Sequence, residues 1–172
     1  MSTPKFAAIL SQVAVAAVVA FALGKDLADG VRVDFRDLAA PLLACSLFCA
    51  LWTFDLMSIG SLRREHKLWD SYHRLDRSKT PEAVLWAERL AANHAEQQPW
   101  FFLSVFAAAF FLNSNVAGAL GLLWVLLRTL YSATMRADGK FSDKGVAKFT
   151  IPCYFCLSTM LMGATINVLR QF

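Results

Sequence analysis

Five apolar stretches limit what this chain of 172 residues can fold into. A helix that crosses a bilayer needs about 20 mainly apolar residues. Four stretches come near that length and hold at most one charged residue each; they are residues 6–23, 38–60, 115–135 and 149–169. The fifth, residues 99–112, is shorter, and we interpret it as the deep end of a longer helix that begins near Pro81. The chain is therefore predicted to be an integral membrane protein.

Helices suit these stretches better than strands. Backbone groups within lipid must bond internally, which leaves helices or the strands of a closed barrel, and no alternation of period two runs through the stretches. Hydrophobic residues make up 57% of the chain and charged residues 17%, which excludes a disordered protein or a nucleic-acid-binding arm. The sequence predicts an all-α, polytopic membrane helical bundle. Residues 6–23 are taken as a first span rather than a cleaved signal, with no packing partner that the sequence can name.

Local signals predict where the helices begin. Asp37 is placed to cap the second helix, and Pro41 lies in its first turns. The sequence Thr80-Pro81-Glu82 is typical of a cap, a first-turn proline and an early acid for the third helix. Residues 113–115 predict a tight turn before the fourth helix, and Pro99 predicts a kink in the third.

Charge predicts the orientation. Eleven Lys and Arg residues lie in the N-terminus and in the segments around 61–81 and 136–148, against four on the other side. The positive-inside rule then places the N-terminus and these two segments on the cytosolic side or on an equivalent matrix side.

A polar stripe is the most informative feature. Arg89, Asn93 and Glu96 stand at positions i, i+4 and i+7, which lie on one face of a helix. Because such groups are costly against lipid, the stripe should face other helices or a wet cavity. A guanidinium, an amide and a carboxylate could grip a small zwitterion that carries carboxylates and an amine. The alternative, polar groups that only hold helices together, remains open at this point.

Other charged residues in the spans have structural interpretations. For Arg128, which shares a helix face with Tyr131, the sequence favours an ion pair with Glu96 or Asp55. The three histidines look scattered and unpaired, so they predict no metal site. Cys153 and Cys156 have the spacing of a redox or zinc motif, but they lie in a predicted span with no second pair nearby.

These patterns together resemble a known superfamily. Arg89-x3-Asn93-x2-Glu96-x2-Pro99, followed by Arg128-x2-Tyr131 in the next helix, resembles motifs of the MAPEG superfamily, the membrane-associated proteins in eicosanoid and glutathione metabolism. Residues 59–64 resemble the end of its first helix. The resemblance implies a MAPEG-like four-helix transmembrane domain over residues 38–172, with an extra N-terminal helix and loop over residues 1–37. Members assemble as trimers and bind glutathione between subunits.

The resemblance also implies roles for single residues. Arg89, Asn93 and Glu96 would contact the carboxylates and amine of glutathione, and Tyr131 would line the same site. Arg63 or Arg64 would approach from a neighbouring subunit. Two departures stand out: Met135 replaces a tyrosine of many members, and Lys144, with Ser142 and Asp143, occupies the window where active members place a thiol-activating arginine. Lys144 and Arg64 are therefore the candidate catalytic cations.

Two functions follow from the resemblance as expectations. The first is a glutathione transferase or peroxidase that uses glutathione as cosubstrate on lipophilic molecules, as a homotrimer in an endoplasmic reticulum or mitochondrial membrane. The second is a non-catalytic MAPEG-derived accessory subunit of a larger membrane complex, which the two departures and the added helix favour.

Overall fold

Each apolar stretch of the sequence lies in one long helix. The computed structural model describes the backbone of residues 3–27, 34–68, 78–138 and 143–172, and the side chains of these ranges except residues 3–10, 138 and 143–147. Within these ranges the helices are α1 (Thr3–Leu23), α2 (Ala39–Glu65), α3 (Glu82–Phe111), α4 (Ser114–Asp138) and α5 (Asp143–Leu169), with a 3-10 helix at Phe35–Leu38.

The predicted fold class is confirmed. The described residues include no strand. Three described helical stretches are long and apolar enough to cross a membrane: Phe35–Glu65, Ser114–Ala137 and Lys148–Leu169. Ser11–Leu23 is a shorter apolar helix. The protein is therefore an all-α integral membrane bundle.

Two predicted helix caps are wrong in detail. Asp37 lies inside the 3-10 helix, and the cap of that helix is Asp34, whose Oδ1 accepts a hydrogen bond from the Arg36 backbone N at 2.9 Å. The N-cap of α2 is Leu38, which makes no side-chain cap bond. The N-cap of α3 is Pro81 rather than Thr80, and the Pro81 carbonyl accepts from the backbone N of Val84 and Leu85. Because the 3-10 helix precedes α2, and because Pro81 rather than Thr80 is the N-cap of α3, both helices begin at least one residue later than the sequence predicts.

The turn between α3 and α4 is confirmed. Asn113 Oδ1 accepts hydrogen bonds from the backbone N of Asn115 at 2.9 Å and of Val116 at 3.3 Å, which satisfies two free donors of the α4 start. The helix α3 continues through Pro99 from Glu82 to Phe111.

An aromatic cluster joins α2, α3 and α4 at the centre of the bundle. The rings of Phe101 and Trp124 stack with centroids 4.2 Å apart, and Phe48 meets both, at 5.2 and 5.1 Å. The helices α2 and α4 approach closely at Gly118, where an added Cβ would lie 2.4 Å from the Cβ of Ala40. A larger residue at this position would push the two helices apart.

The packing partner of α1 is α5, which the sequence could not indicate. The segment after α1 is also hydrogen-bonded to the ends of α3 and α5. The backbone N of Lys25 donates to Leu112 O at 2.7 Å, and Asn167 Nδ2 donates to Lys25 O at 2.9 Å and to Phe111 O at 2.7 Å. These bonds satisfy the last carbonyls of α3, so α1 is an integral part of the bundle.

Candidate functional site

The predicted polar stripe forms on α3 and remains accessible. Arg89 Nη1 donates to Glu96 Oε1 at 3.0 Å, and the two side chains are 52% and 54% exposed. The spacing of seven residues brings these groups together across two turns of helix, as expected. An ion pair this exposed contributes little to stability, so a ligand can separate it at small cost.

Asn93 connects the stripe to α4. Its Oδ1 accepts a hydrogen bond from Arg128 Nη2, and Arg128 is almost fully buried. The guanidinium carbon of Arg128 lies 4.6 Å from the ring centroid of Tyr131 and 5.7 Å from that of Trp124. The predicted ion pair of Arg128 with Glu96 or Asp55 is therefore wrong, because an amide oxygen and two aromatic faces surround this charge instead.

Tyr131 is buried within the single chain. Its ring packs with Leu90 and Met135, and Arg128 lies over its face. Met135, the residue in place of a second tyrosine, therefore packs in the same apolar cluster as Tyr131. Arg128 thus links Asn93 on α3 with Tyr131 on α4, so the predicted residues of both helices belong to one cluster.

The candidate cations lie in different places. Arg63 Nη2 donates to Glu88 Oε1 at 2.5 Å, which holds Arg63 between α2 and α3, away from the Arg89–Glu96 pair. Arg64, next to it, is exposed. Lys144 is in the first turn of α5, and its side chain is outside the described residues. One chain therefore does not bring Arg63 to the stripe.

A buried polar cluster escaped the sequence analysis. It consists of four residues that contact one another between three helices: Asp55 on α2, His94 on α3, and Ser132 and Arg136 on α4. Asp55 Oδ2 lies 2.8 Å from His94 Nδ1 and accepts from Ser132 Oγ at 3.5 Å, while Asp55 Oδ1 pairs with Arg136 Nη2. His94 was interpreted as unpaired, and that interpretation is wrong.

The order of Asp55, His94 and Ser132 resembles that of a hydrolase triad, since Ser132 Oγ lies 3.4 Å from His94 Nε2. Ser132 is 0% exposed, however, and its hydroxyl also donates to Asp55. A buried serine cannot meet a substrate. The three residues instead satisfy one another and hold α2, α3 and α4 in fixed rotations.

No group of His, Cys, Asp and Glu in the described part of the chain could hold a metal ion. Cys153 and Cys156 are free and buried within α5.

A sequence model described as the MAPEG family matches residues 42–165. The chain belongs to the MAPEG family. The match begins in α2 and ends in α5, so α1 lies outside it, while Arg63, Arg64, Arg89, Asn93, Glu96, Tyr131 and Lys144 all lie inside it. A comparison of this MAPEG protein with curated proteins finds no significant match.

Proposed function

We propose that this MAPEG protein binds glutathione and uses it as a cosubstrate against lipophilic molecules in the bilayer, as a transferase or peroxidase. The observation that supports this best is the accessible stripe of Arg89, Asn93 and Glu96, whose charges are held in place by α3 but are not buried. Glutathione carries two carboxylates, an amine and amide groups. The stripe offers a partner for each kind of group.

The grip follows from the hydrogen-bonding capacity of the three side chains. The Arg89 guanidinium would bind a glutathione carboxylate through two parallel N–H donors. Glu96, released from Arg89, would accept from the glutathione amine. The amide of Asn93 would donate through its Nδ2, because its Oδ1 is held by Arg128. Arg128 therefore fixes the orientation of the Asn93 amide before the ligand arrives.

The chemistry would begin with loss of the thiol proton to water, favoured by a nearby cation. Lys144 is the candidate within one chain, and Arg63 or Arg64 of a second copy would approach in a homotrimer. The thiolate would attack the electrophilic carbon, forming an S–C bond as the leaving group departs with its electron pair. In the peroxidase reaction two glutathione thiols would reduce a peroxide to an alcohol and water, with a disulfide as product.

The location of this activity follows from the charge count. We propose that the stripe faces the cytosolic or matrix side, because α2 ends and α3 begins in the basic segments. The membrane would be that of the endoplasmic reticulum or of mitochondria.

Two observations favour a second function, that of a non-catalytic accessory subunit. The helix α1 lies outside the family match and covers part of α5. Met135 is buried where a tyrosine would serve the site. A larger complex would then use the bundle as a scaffold and would not need a thiolate.

A thermal shift in detergent separates the two functions. Millimolar glutathione and its S-methyl analogue should both raise the Tm of the wild-type protein, because the proposed contacts avoid the thiol. Glu96→Gln should lose most of that shift, while Glu82→Gln, an exposed carboxylate at the start of the same helix, should keep it. Equal shifts in Glu96→Gln and wild type would contradict the proposed grip. A shift with no turnover of electrophiles or peroxides would favour the accessory role.

A further inference from the structure

A cavity of about 360 Å³ lies between the ends of α2 and α4 and the start of α3. This volume is within the range of small-ligand pockets. Most of its wall is apolar: Leu62, Ala83, Trp86, Ala87, Leu90 and Met135. The cavity is separate from the Arg89–Glu96 pair and contains none of the stripe residues, so it stands independently of glutathione binding.

The polar part of this cavity is the pair of Asp55 and Arg136. Asp55 is fully buried, and its Oδ2 contacts His94 Nδ1 and Ser132 Oγ. Its Oδ1 fixes Arg136 Nη2, and the guanidinium of Arg136 also lies 4.5 Å from the centroid of the Phe54 ring. The position of this guanidinium is therefore set by two groups before any ligand binds.

Arg136 retains donors for a second acceptor. A guanidinium has five N–H donors and no acceptor, and Asp55 meets the Nη2 end. The side chain is 37% exposed, beside the apolar cavity wall. Fixed guanidinium donors bind carboxylate or phosphate oxygens best, in a bidentate arrangement.

Arg136 also lies where an amphiphile of the bilayer would arrive. Phe54, under the guanidinium, is 56% exposed on α2, which is one of the helices long and apolar enough to cross a membrane. Arg136 is in the last turn of α4, at the membrane surface predicted to be basic. A single-chain amphiphile at this surface would meet the guanidinium with its head and the cavity with its chain.

We propose that this cavity binds a single-chain amphiphile with an anionic carboxylate or phosphate head, which pairs with Arg136 while its chain lies against Trp86 and Leu90. The carboxylate of Asp55 serves as the positioning group for Arg136. Ser58 and Ser61 on α2 line the same cavity. The Ser58 hydroxyl donates to Phe54 O at 2.9 Å, so the Ser61 hydroxyl is the one that would donate to the head.

Quenching of Trp86 fluorescence tests the proposal. The protein is placed in nanodiscs of zwitterionic lipid and titrated with ω-bromoundecanoic acid, ω-bromoundecyl phosphate and the neutral ω-bromoundecanol. The signal counted is the saturable quenching that Trp86→Phe removes. The acid and the phosphate ester should bind at least about tenfold more tightly than the alcohol, because only they pair with the guanidinium.

Three variants assign the binding to its residues. Arg136→Gln should weaken binding of the acid about tenfold or more and leave the alcohol unchanged. Ala87→Leu should remove binding of both by filling the cavity, without touching Arg136 or Asp55. Lys148→Gln, an exposed charge on α5 at the same membrane surface, should bind as wild type does.

Several results would overturn the proposal. Equal affinity for acid and alcohol in wild type would remove the anion requirement, and unchanged quenching in Ala87→Leu would place the ligand elsewhere. If Arg136→Gln does not fold, these two comparisons still decide. Inorganic phosphate should not compete at millimolar concentration, and full competition by it would assign the site to the free ion instead of an amphiphile.

Discussion

Asn93 on α3 accepts a hydrogen bond from Arg128 on α4, so an amide oxygen and not a carboxylate meets this buried charge. A buried arginine without an acid nearby is costly. The aromatic faces of Tyr131 and Trp124 offset part of that cost, and Asn93 supplies the remaining contact. The Oδ1 of Asn93 thus accepts from a buried residue of the bundle, while its Nδ2 belongs to the accessible stripe.

Replacing Asn93 by Ala should lower the free energy of unfolding by about 1.5–3 kcal/mol, because the Arg128 guanidinium loses its acceptor. Asn115→Ala, which removes an exposed amide at the start of α4, is the matched control and should stay close to wild type. Unfolding in a denaturing detergent titration measures both. A loss in Asn93→Ala no larger than that in Asn115→Ala would show that Arg128 does not need this bond.

The Asp55 cluster predicts strong coupling among three helices. Asp55→Ala should lower the free energy of unfolding by about 3–5 kcal/mol, since His94 and Arg136 both lose a buried partner. Asp37→Ala, at an exposed acid of the 3-10 helix, should have little effect. The double variant Asp55→Ala with Arg136→Met should lose less free energy of unfolding than the two single variants lose when added together. Additive losses would contradict the pairing.

Two glycines form a matched test of helix packing. Gly118→Ala should be destabilised by about 1–3 kcal/mol, because the added Cβ would lie 2.4 Å from Ala40 Cβ between α2 and α4. Gly60→Ala adds the same group where no atom lies within 4 Å, so it should gain about 0.5–1 kcal/mol from helix propensity. Similar Tm changes in the two variants would mean that α2 and α4 do not approach closely at Gly118.

The attachment of α1 depends on Asn167. Asn167→Leu should release the end of α1, because two hydrogen bonds to Lys25 O and Phe111 O are lost. Limited trypsin digestion after Lys25 should then be faster than in wild type. Gln171→Leu, which removes only an exposed contact to Lys25 O at 3.4 Å, should be cut at the wild-type rate. Unchanged cleavage of Asn167→Leu would place the attachment elsewhere along α1.

Sequence reasoning predicted the helices well and their contacts poorly. Apolar runs are long local signals, so the core of each span was found, and the spacing of Arg89 and Glu96 predicted their meeting on one helix. Helix ends depend on one or two residues, which explains why Asp34 rather than Asp37 forms a cap. The family resemblance itself rested on such local spacings and is confirmed by the match over residues 42–165.

Contacts between helices need their relative rotation, which no local pattern contains. Asp55, His94 and Arg136 come from three helices. In the sequence Asp55 is the one charge of an apolar stretch, His94 lies among other polar residues of α3, and Arg136 is one of several cations in a basic segment. A usable signal existed for His94: it lies four residues after Leu90 and seven before Phe101, on the apolar face of α3 and not on the stripe. A polar residue on a buried face needs a partner from another helix.

The bond between Asn167 and Lys25 joins residues 142 positions apart in the chain. Because a protein is synthesised from its N-terminus, α1 leaves the ribosome first, yet its anchor near the end of α5 is made last. The hydrogen bonds from Asn167 to Lys25 O and Phe111 O can therefore form only after α5 has been synthesised, when α1 and α3 are already complete. Truncation of α5 before Asn167 would therefore weaken the attachment of a segment near the opposite end of the chain.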